Sequence, residues 1–278
     1  MMKVVCALSG GSAKGAAHIG AIRALSEHGL EPSRFVGTSI GAVFGALFAS
    51  GLPEKEILAR VSGISRRDVA RVNPLAVLGV FAPSLLKGSA WRNTIRKLIP
   101  AEKFSDLEIP LTVTAVDVDT GELVLFGDGG EVDVPIADAL YASTALPVQF
   151  PPAIMGNRKL ADGGLRTVLP LDVSATFEPD LVFAVNVGPK FVAHAGDGGV
   201  LSSGIFGAHR YSVRILMAEQ TRSVVERWRN SSKTELVLVE PDVKPRKPFS
   251  VGGVSGFVDA GYRAAVHALE ERSRSNGQ

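Results

Sequence analysis

The chain has 278 residues, of which 46% are hydrophobic and 21% are charged, so disorder is excluded for most of its length. Its formal net charge of +2 is too small to indicate nucleic acid as a partner. The single cysteine, Cys6, excludes a disulfide framework and a thiolate metal site, and its place in an apolar run predicts a core position.

The sequence favours neither export nor insertion into a membrane. The N-terminal sequence leads straight into an apolar run at residues 4–8, without the features of a secretory signal. Residues 35–53 are uncharged and nominally long enough to cross a bilayer, but glycines and a proline interrupt them, which favours a buried strand, a turn and a buried helix. We therefore expect a cytoplasmic protein. A second uncharged stretch, residues 72–86, could touch a membrane surface peripherally.

In chain order, the first half predicts a strand at residues 4–8, a helix over residues 15–28 that ends at Gly29, and a strand that enters a turn at Gly37. Three helices follow. We expect a fully buried one over residues 40–50, a second over 53–62 and a third over 90–99 with Ser89 as its N-cap.

The second half predicts two hairpins, over residues 111–126 and 153–160, with a helix over residues 136–143 between them. After these come a strand at 181–187, a long helix at 204–229, a strand at 236–239 and a last helix at 257–272. Strands that alternate with helices predict an α/β fold, with a mostly parallel central sheet flanked by helices on both faces. We expect one domain over residues 1–278.

The most informative motif is Gly37-Thr38-Ser39-Ile40-Gly41, between a predicted strand and a predicted helix. A serine on a sharp turn of this kind projects its hydroxyl away from the sheet, and the flanking glycines let the backbone turn tightly. The helix that follows favours developing negative charge near its N-terminus. A helix-capping serine in a glycine-rich turn is the alternative.

A second glycine-rich loop, Gly10-Gly11-Ser12-Ala13-Lys14-Gly15, also lies between a strand and a helix. Its backbone N–H groups could cradle a phosphate or form an oxyanion hole. The run completes neither a Walker pattern nor the dinucleotide fingerprint, so a nucleotide site is the weaker hypothesis. A third motif, Asp162-Gly163-Gly164, supplies a candidate base, although such turns are common.

Together, the three motifs resemble those of patatin-like phospholipases. That family has a Gly-Gly-x-x-Arg/Lys-Gly loop, a Gly-x-Ser-x-Gly turn and an Asp-Gly-Gly/Ala turn in this order, and residues 142–147 and 150–152 resemble its segment before the aspartate. The resemblance covers about residues 3–190 and implies a three-layer α/β sandwich. This chain departs from the family at Ser12, where glycine is common, and at Lys14, where arginine is more usual.

The resemblance implies a dyad of Ser39 as nucleophile and Asp162 as general base, with no histidine. No pair of histidines or carboxylates has metal-ligand spacing, so we expect no metal, and we expect no cofactor. The N–H groups of Gly10, Gly11 and Ser12 would form the oxyanion hole. The motifs would be completed by Lys14, Gly15, Gly37, Gly41, Gly163 and Gly164. A triad of the α/β-hydrolase type would instead need a late histidine, for which His194, His209 and His267 are the candidates.

A lipid or phospholipid is the substrate that the resemblance implies, and the expected activity is that of a phospholipase A or lysophospholipase. Residues 63–100, which include the apolar stretch, could form a helical cover or line an acyl groove. An acyltransferase or thioesterase acting on an acyl thioester is one alternative, and a catalytically idle lipid-binding module of the same fold is another. We expect Ser143 and Thr144 to cap or pack near the site. The oligomeric state is left open.

Overall fold

One mixed β-sheet organises the computed structural model, which describes residues 2–76, 84–190, 204–243 and 253–276. Within these ranges the sheet has eight strands. They are β1 (Val4–Leu8), β2 (Pro32–Thr38), β3 (Leu111–Asp117), β4 (Leu123–Gly127), β5 (Ala153–Met155), β6 (Arg158–Asp162), β7 (Leu181–Val185) and β8 (Glu235–Val239).

The strand order is β5-β6-β3-β2-β1-β7-β8, with β4 also paired to β3. Strands β3, β2, β1, β7 and β8 run parallel to one another, which confirms the predicted parallel centre. The first predicted hairpin is formed by β3 and β4 and the second by β5 and β6, and β6 also pairs antiparallel with β3. The sheet is therefore mixed, with a parallel core.

Helices cover both faces of this sheet. They are α1 (Ala17–Glu27), α2 (Ile40–Ala49), α3 (Glu54–Ser62), α4 (Arg66–Val69), α5 (Gly88–Leu98), α6 (Ile136–Thr144), α7 (Leu171–Ala175), α8 (Gly204–Ser231) and α9 (Val254–Asn276). Side chains alternate along a strand, so Cys6 and Leu8 pack with the buried faces of α1, α2, α6 and α9. Ala7 points the other way, toward α7 and α8. The predicted three-layer α/β arrangement is confirmed.

Three of the predicted helix starts are wrong by two or three residues, and one of them is that of α9, which begins at Val254 and not at residue 257. Helix α5 begins at Gly88, not after Ser89, and no side chain caps it. The reason is a tertiary contact, because Gly88 packs so tightly under Tyr141 that a Cβ atom there would lie 2.0 Å from the Tyr141 hydroxyl. The helix predicted over residues 15–28 begins as a 3-10 turn, Ser12–Ala16, before α1 follows.

The apolar stretch at residues 35–53 forms β2, a turn and the buried helix α2, as predicted. Among the helices in the described ranges, none combines the length and the apolarity needed to cross a bilayer. The segment expected to cover the site falls partly outside these ranges, since residues 77–83 are not described.

Helices α1 and α9 meet backbone to backbone. A Cβ atom on Gly261 of α9 would lie 1.9 Å from the carbonyl oxygen of Ala17, whereas a Cβ atom on Gly256 of the same helix would meet open space. Gly261 therefore determines how closely the two helices approach.

We predict opposite effects of the same substitution at these two glycines. Gly261→Ala should lower the free energy of unfolding by about 1–3 kcal/mol, because the added methyl group overpacks the helix contact. Gly256→Ala is the matched control and should raise it by up to about 1 kcal/mol, because alanine favours helix more than glycine does. Denaturant unfolding of both variants measures the difference, and an equal loss in both would contradict the role of the close contact.

Candidate active site

The edge of β3 that faces β2 determines where the predicted nucleophile and the predicted base meet. Residues 112–114 of β3 pair with both β2 and β4, and residues 115–116 pair with both β4 and β6. Because a strand has only two edges, β2 and β6 share one edge of β3, one after the other. Thr38 at the end of β2 pairs with Thr114, and Asp162 at the end of β6 pairs with Ala115. The C-terminal ends of β2 and β6 therefore meet beside adjacent residues of β3.

Ser39 occupies a sharp turn between β2 and α2. Its φ of 54° and ψ of −126° are unusual for a residue with a side chain. The turn packs closely, because a Cβ atom on Gly37 would lie 2.4 Å from the Cα of Ala42 and one on Gly41 would lie 2.2 Å from the Leu8 carbonyl oxygen. Both positions require glycine for steric reasons, and the turn holds the Ser39 hydroxyl at the carboxyl end of the sheet.

The Ser39 hydroxyl donates a hydrogen bond of 2.7 Å to Oδ2 of Asp162. The other carboxylate oxygen, Oδ1, accepts a bond of 2.8 Å from the N–H of Gly164. Asp162 is 5% exposed, and this burial raises its pKa from 3.8 to about 6, although the bonds from Gly164 and Ser39 act in the opposite direction. Gly163 lies against β3, where a Cβ atom would lie 2.2 Å from Oγ1 of Thr114.

Ser143 holds the turn from the other side. Its hydroxyl oxygen accepts a hydrogen bond of 2.8 Å from the backbone N–H of Ser39, and the side chain is fully buried on α6. The neighbouring Thr144 accepts a bond of 2.8 Å from the indole N–H of Trp91 on α5. The sequence placed Ser143 and Thr144 near the site but gave no signal for these partners, which lie far away along the chain.

The glycine-rich loop after β1 lies beside Ser39. A Cβ atom on Gly10 would lie 3.1 Å from the Cβ of Ser39. The N–H of Gly10 already donates to the carbonyl oxygen of Val168 at 3.1 Å, whereas the N–H groups of Gly11 and Ser12 have no protein acceptor in the described part of the chain. Ser12 has a φ of +57°, in the left-handed region that favours glycine.

Lys14 ties this loop to the segment after β7. Its ammonium group donates to the carbonyl oxygen of Gly188 at 2.9 Å. Its pKa is lowered from 10.5 to about 8, first by burial and then by the charges of Lys190 and Arg214. Gly15 lets the 3-10 turn pack on α2, because a Cβ atom there would lie 2.7 Å from Cγ1 of Ile40.

The histidines stand apart from this arrangement. His18 is buried on α1, where Nε2 bonds to the carbonyl oxygen of Ser9 at 3.1 Å and burial lowers its pKa from 6.5 to about 4. His209 and His267 are exposed on α8 and α9, and His194 lies outside the described residues. No histidine of the described ranges hydrogen-bonds to Ser39 or Asp162, and these ranges contain no cluster of three or more side chains suited to a metal ion.

Comparison with known proteins gives three findings. The family model described as Patatin-like phospholipase matches residues 6–174. The chain is 32% identical over 195 residues to an uncharacterized NTE family protein of Mycobacterium tuberculosis, which covers 70% of this chain and 52% of that protein. It is 28% identical over 189 residues to patatin-like phospholipase domain-containing protein 7 of Rattus norvegicus, over 67% of this chain and 14% of that protein. The chain thus spans about half the length of its mycobacterial relative.

The fold also resembles a solved structure. VipD from Legionella pneumophila superposes with a TM-score of 0.52 at 17% identity, over 97% of this chain and 67% of that one. At this level of identity the likeness concerns the fold alone.

We predict that Ser143 controls the reactivity of the Ser39 hydroxyl. Ser143→Ala should slow covalent labelling of Ser39 by a fluorophosphonate about tenfold or more, because the partly buried N–H of Ser39 loses its acceptor, at a cost of about 1–3 kcal/mol. Ser174→Ala is the matched control, since Ser174 is an equally buried serine whose hydroxyl bonds to the Pro170 carbonyl on α7. Equal labelling rates in the two variants would refute this role of Ser143.

Proposed function

The chain belongs to the patatin-like phospholipase family, and we propose that it is a lipid acyl hydrolase of the phospholipase A or lysophospholipase type that acts through a Ser39 acyl-enzyme. The observation that carries the proposal is the 2.7 Å hydrogen bond between the Ser39 hydroxyl and the buried carboxylate of Asp162. A serine is a weak nucleophile until a neighbouring base accepts its proton. The raised pKa of Asp162, about 6, makes this carboxylate a better base than an ordinary aspartate.

In the acylation step, the Ser39 oxygen attacks the ester carbonyl carbon of the lipid while its proton passes to Oδ2 of Asp162. The tetrahedral intermediate collapses, the acyl–oxygen bond breaks, and the alcohol portion leaves with the proton from Asp162. In the second step Asp162 takes a proton from water, the resulting hydroxide attacks the acyl-serine ester, and the fatty acid leaves as Ser39 regains its proton. One base thus serves both steps.

The negative charge of the intermediate develops on the former carbonyl oxygen and needs hydrogen-bond donors that face that oxygen. We assign this role to the N–H groups of Gly11 and Ser12, because the N–H of Gly10 is already bonded to Val168. The start of helix α2 directly after Ser39 favours the same charge through its dipole. Each such donor contributes about 10²- to 10³-fold in comparable sites.

We predict that Ser39→Ala abolishes release of fatty acid from a phospholipid and that Asp162→Asn lowers kcat by about 10²- to 10⁴-fold, because an amide cannot accept the proton. Asp117→Asn is the matched control. Asp117 is another buried aspartate, and its carboxylate accepts a turn N–H, that of Asp119, at 2.9 Å. Full activity of Asp162→Asn would contradict the dyad.

The same assay separates the alternatives. An acyltransferase would pass the acyl group to an acceptor alcohol as a new ester and would release little free fatty acid, and a thioesterase would cleave an acyl thioester in preference to the phospholipid. An idle lipid-binding module would bind lipid without turnover and would not react with a fluorophosphonate.

The pH dependence follows from the direction of the Asp162 pKa shift. Only the ionised carboxylate can accept the serine proton, so kcat/KM should fall below an apparent pKa of about 6, well above the 3.8 of an ordinary aspartate. The free energy of unfolding changes in the opposite sense. Because the pKa of Asp162 is higher in the folded chain than in the unfolded chain, the folded protein loses stability as the pH rises from about 4 through about 6. We therefore expect Asp162→Asn to gain thermal stability relative to the natural chain at pH 8 but not at pH 4. An activity limb near pH 4 would contradict this assignment.

A further inference from the structure

Basic residues are concentrated in one segment of the chain. Residues 60–97 contain eight of the 30 lysines and arginines but only one of the 28 acidic residues, Asp68. The segment therefore has a formal charge of +7 and the rest of the chain one of −5, which together give the net +2. A weakly charged protein thus has one strongly positive region, which attracts anions to a defined part of its surface.

The bases of this segment surround a cavity. A cleft of about 550 Å³ between α3, α4 and α5 is lined by Arg60, Arg67, Arg71 and Lys97, with Asp68 as its acidic residue. Arg60 is engaged by Glu56 and by backbone carbonyl groups.

The other three bases are available to a ligand. Arg67, Arg71 and Lys97 are exposed, and none forms an ion pair within the described ranges. Asp68 is occupied by Ser65, whose N–H and hydroxyl both donate to it. The cleft therefore offers three unpaired cations to an external anion.

Exposed apolar side chains follow two of these cations in the chain. Val72, next to Arg71 in the chain, is 70% exposed, and Leu75 is 51% exposed. Both belong to the uncharged stretch at residues 72–86. Bases beside exposed apolar side chains match the chemistry of a membrane interface, where phosphates lie above acyl chains. A nucleic acid or an acidic peptide would use the cations but would leave the apolar side chains in water.

Backbone contacts connect this region to the site. Val72 pairs with Leu86 in an antiparallel bridge. The N–H of Leu85 donates to the carbonyl oxygen of Val148 at 2.8 Å, in the turn that follows α6. Within that turn, the carbonyl of Ala145 accepts the N–H of Asp162 at 3.1 Å. The positive region and the dyad are thus linked by a short series of backbone contacts.

We propose that the surface formed by Arg67, Arg71, Lys97, Val72 and Leu75, here called the basic face, docks the protein on an anionic lipid bilayer. Lipid phosphates enter the cleft between α3, α4 and α5, while Val72 and Leu75 contact the acyl boundary. The choice of a bilayer over other polyanions rests in part on the proposed function, since a lipid substrate would be presented at that surface.

The test is co-sedimentation of the full chain carrying Ser39→Ala with vesicles of ether-linked lipids, which have no ester to cleave. One vesicle contains only choline ether lipid, and the other has one third of it replaced by an anionic glycerol-phosphate ether lipid. We expect binding to the anionic vesicle alone, weakened by added salt. Replacing Arg67, Arg71 and Lys97 by glutamine should weaken binding about 100-fold, given the typical contribution of each base near an anionic surface.

The matched control replaces Arg229, Lys233 and Arg263 by glutamine, which removes the same charge from exposed residues without ion pairs in the described ranges. Its binding should stay within about threefold of the parent, because these bases lie outside the basic face. An equal loss in the two triple variants would mean that net charge alone governs binding and would overturn the proposal, as would no binding of the parent to anionic vesicles.

A double variant, Val72→Ser with Leu75→Ser, tests the contribution of the exposed apolar side chains to vesicle binding. Its control is Val132→Ser with Ile154→Ser, which changes two other exposed apolar residues. We expect about tenfold weaker binding for the first pair only, from the lost apolar burial. If vesicle binding of the first pair were unchanged, or if the parent bound soluble polyglutamate as tightly as vesicles, the partner would be an acidic macromolecule. Either result would overturn the proposal of a lipid bilayer.

The two proposals fail separately. In the chain with Ser39 intact, the glutamine triple variant should hydrolyse a water-soluble short-chain ester at the parent rate. If this variant lost ester hydrolysis but still bound vesicles, the three bases would serve the reaction and not docking, which would contradict the proposal. Vesicle binding without ester hydrolysis by the intact chain would sink the proposed function and leave the docking surface standing.

Discussion

The arrangement of the site depends on β3 continuing for three residues past the point where its neighbour β2 ends. Where β2 ends, at Thr38, β6 begins to pair with the same edge of β3 and brings Asp162 to the next position. Ser39 and Asp162 are 123 residues apart in the chain, yet their side chains meet at 2.7 Å. If β6 paired one residue out of register, its side chains would change faces and the carboxylate would leave Ser39. A sheet register is therefore the constraint on which the proposed chemistry rests.

This constraint has a local cost. A buried aspartate disfavours its charged form, and a serine with a φ of 54° is strained by about 1–3 kcal/mol. The surrounding structure holds both groups in place, through the Ser143 hydroxyl on one side and the N–H of Gly164 on the other. The close approaches at Gly37 and Gly41 leave the turn little room to relax. Strain and burial at one point, supported by a well-packed sheet, are typical of pre-organised catalytic groups.

Helices α5 and α6 connect the two proposals. Helix α6 carries Ser143, which accepts a hydrogen bond from the backbone N–H of Ser39, and Thr144, which accepts one from Trp91 of α5. Helix α5 in turn contributes Lys97 to the cleft of the basic face. The surface that we propose for lipid docking and the turn that positions Ser39 are thus connected through two packed helices.

The sequence by itself determined the order of the elements, the α/β class and the three motifs, because hydrophobic periodicity and turn chemistry are local properties. It pointed to Ser39, Asp162 and the glycine-rich loop as the candidate site through the resemblance of their three motifs to those of patatin-like phospholipases. Only the tertiary structure decided the start of α5, the bond that occupies the N–H of Gly10, and the partner of Ser143. These depend on contacts between residues far apart in the chain, such as the 104 positions between Ser39 and Ser143, and no local pattern encodes them. The charge excess at residues 60–97 was present in the sequence, but only folding gathered Arg67, Arg71 and Lys97 around one cleft.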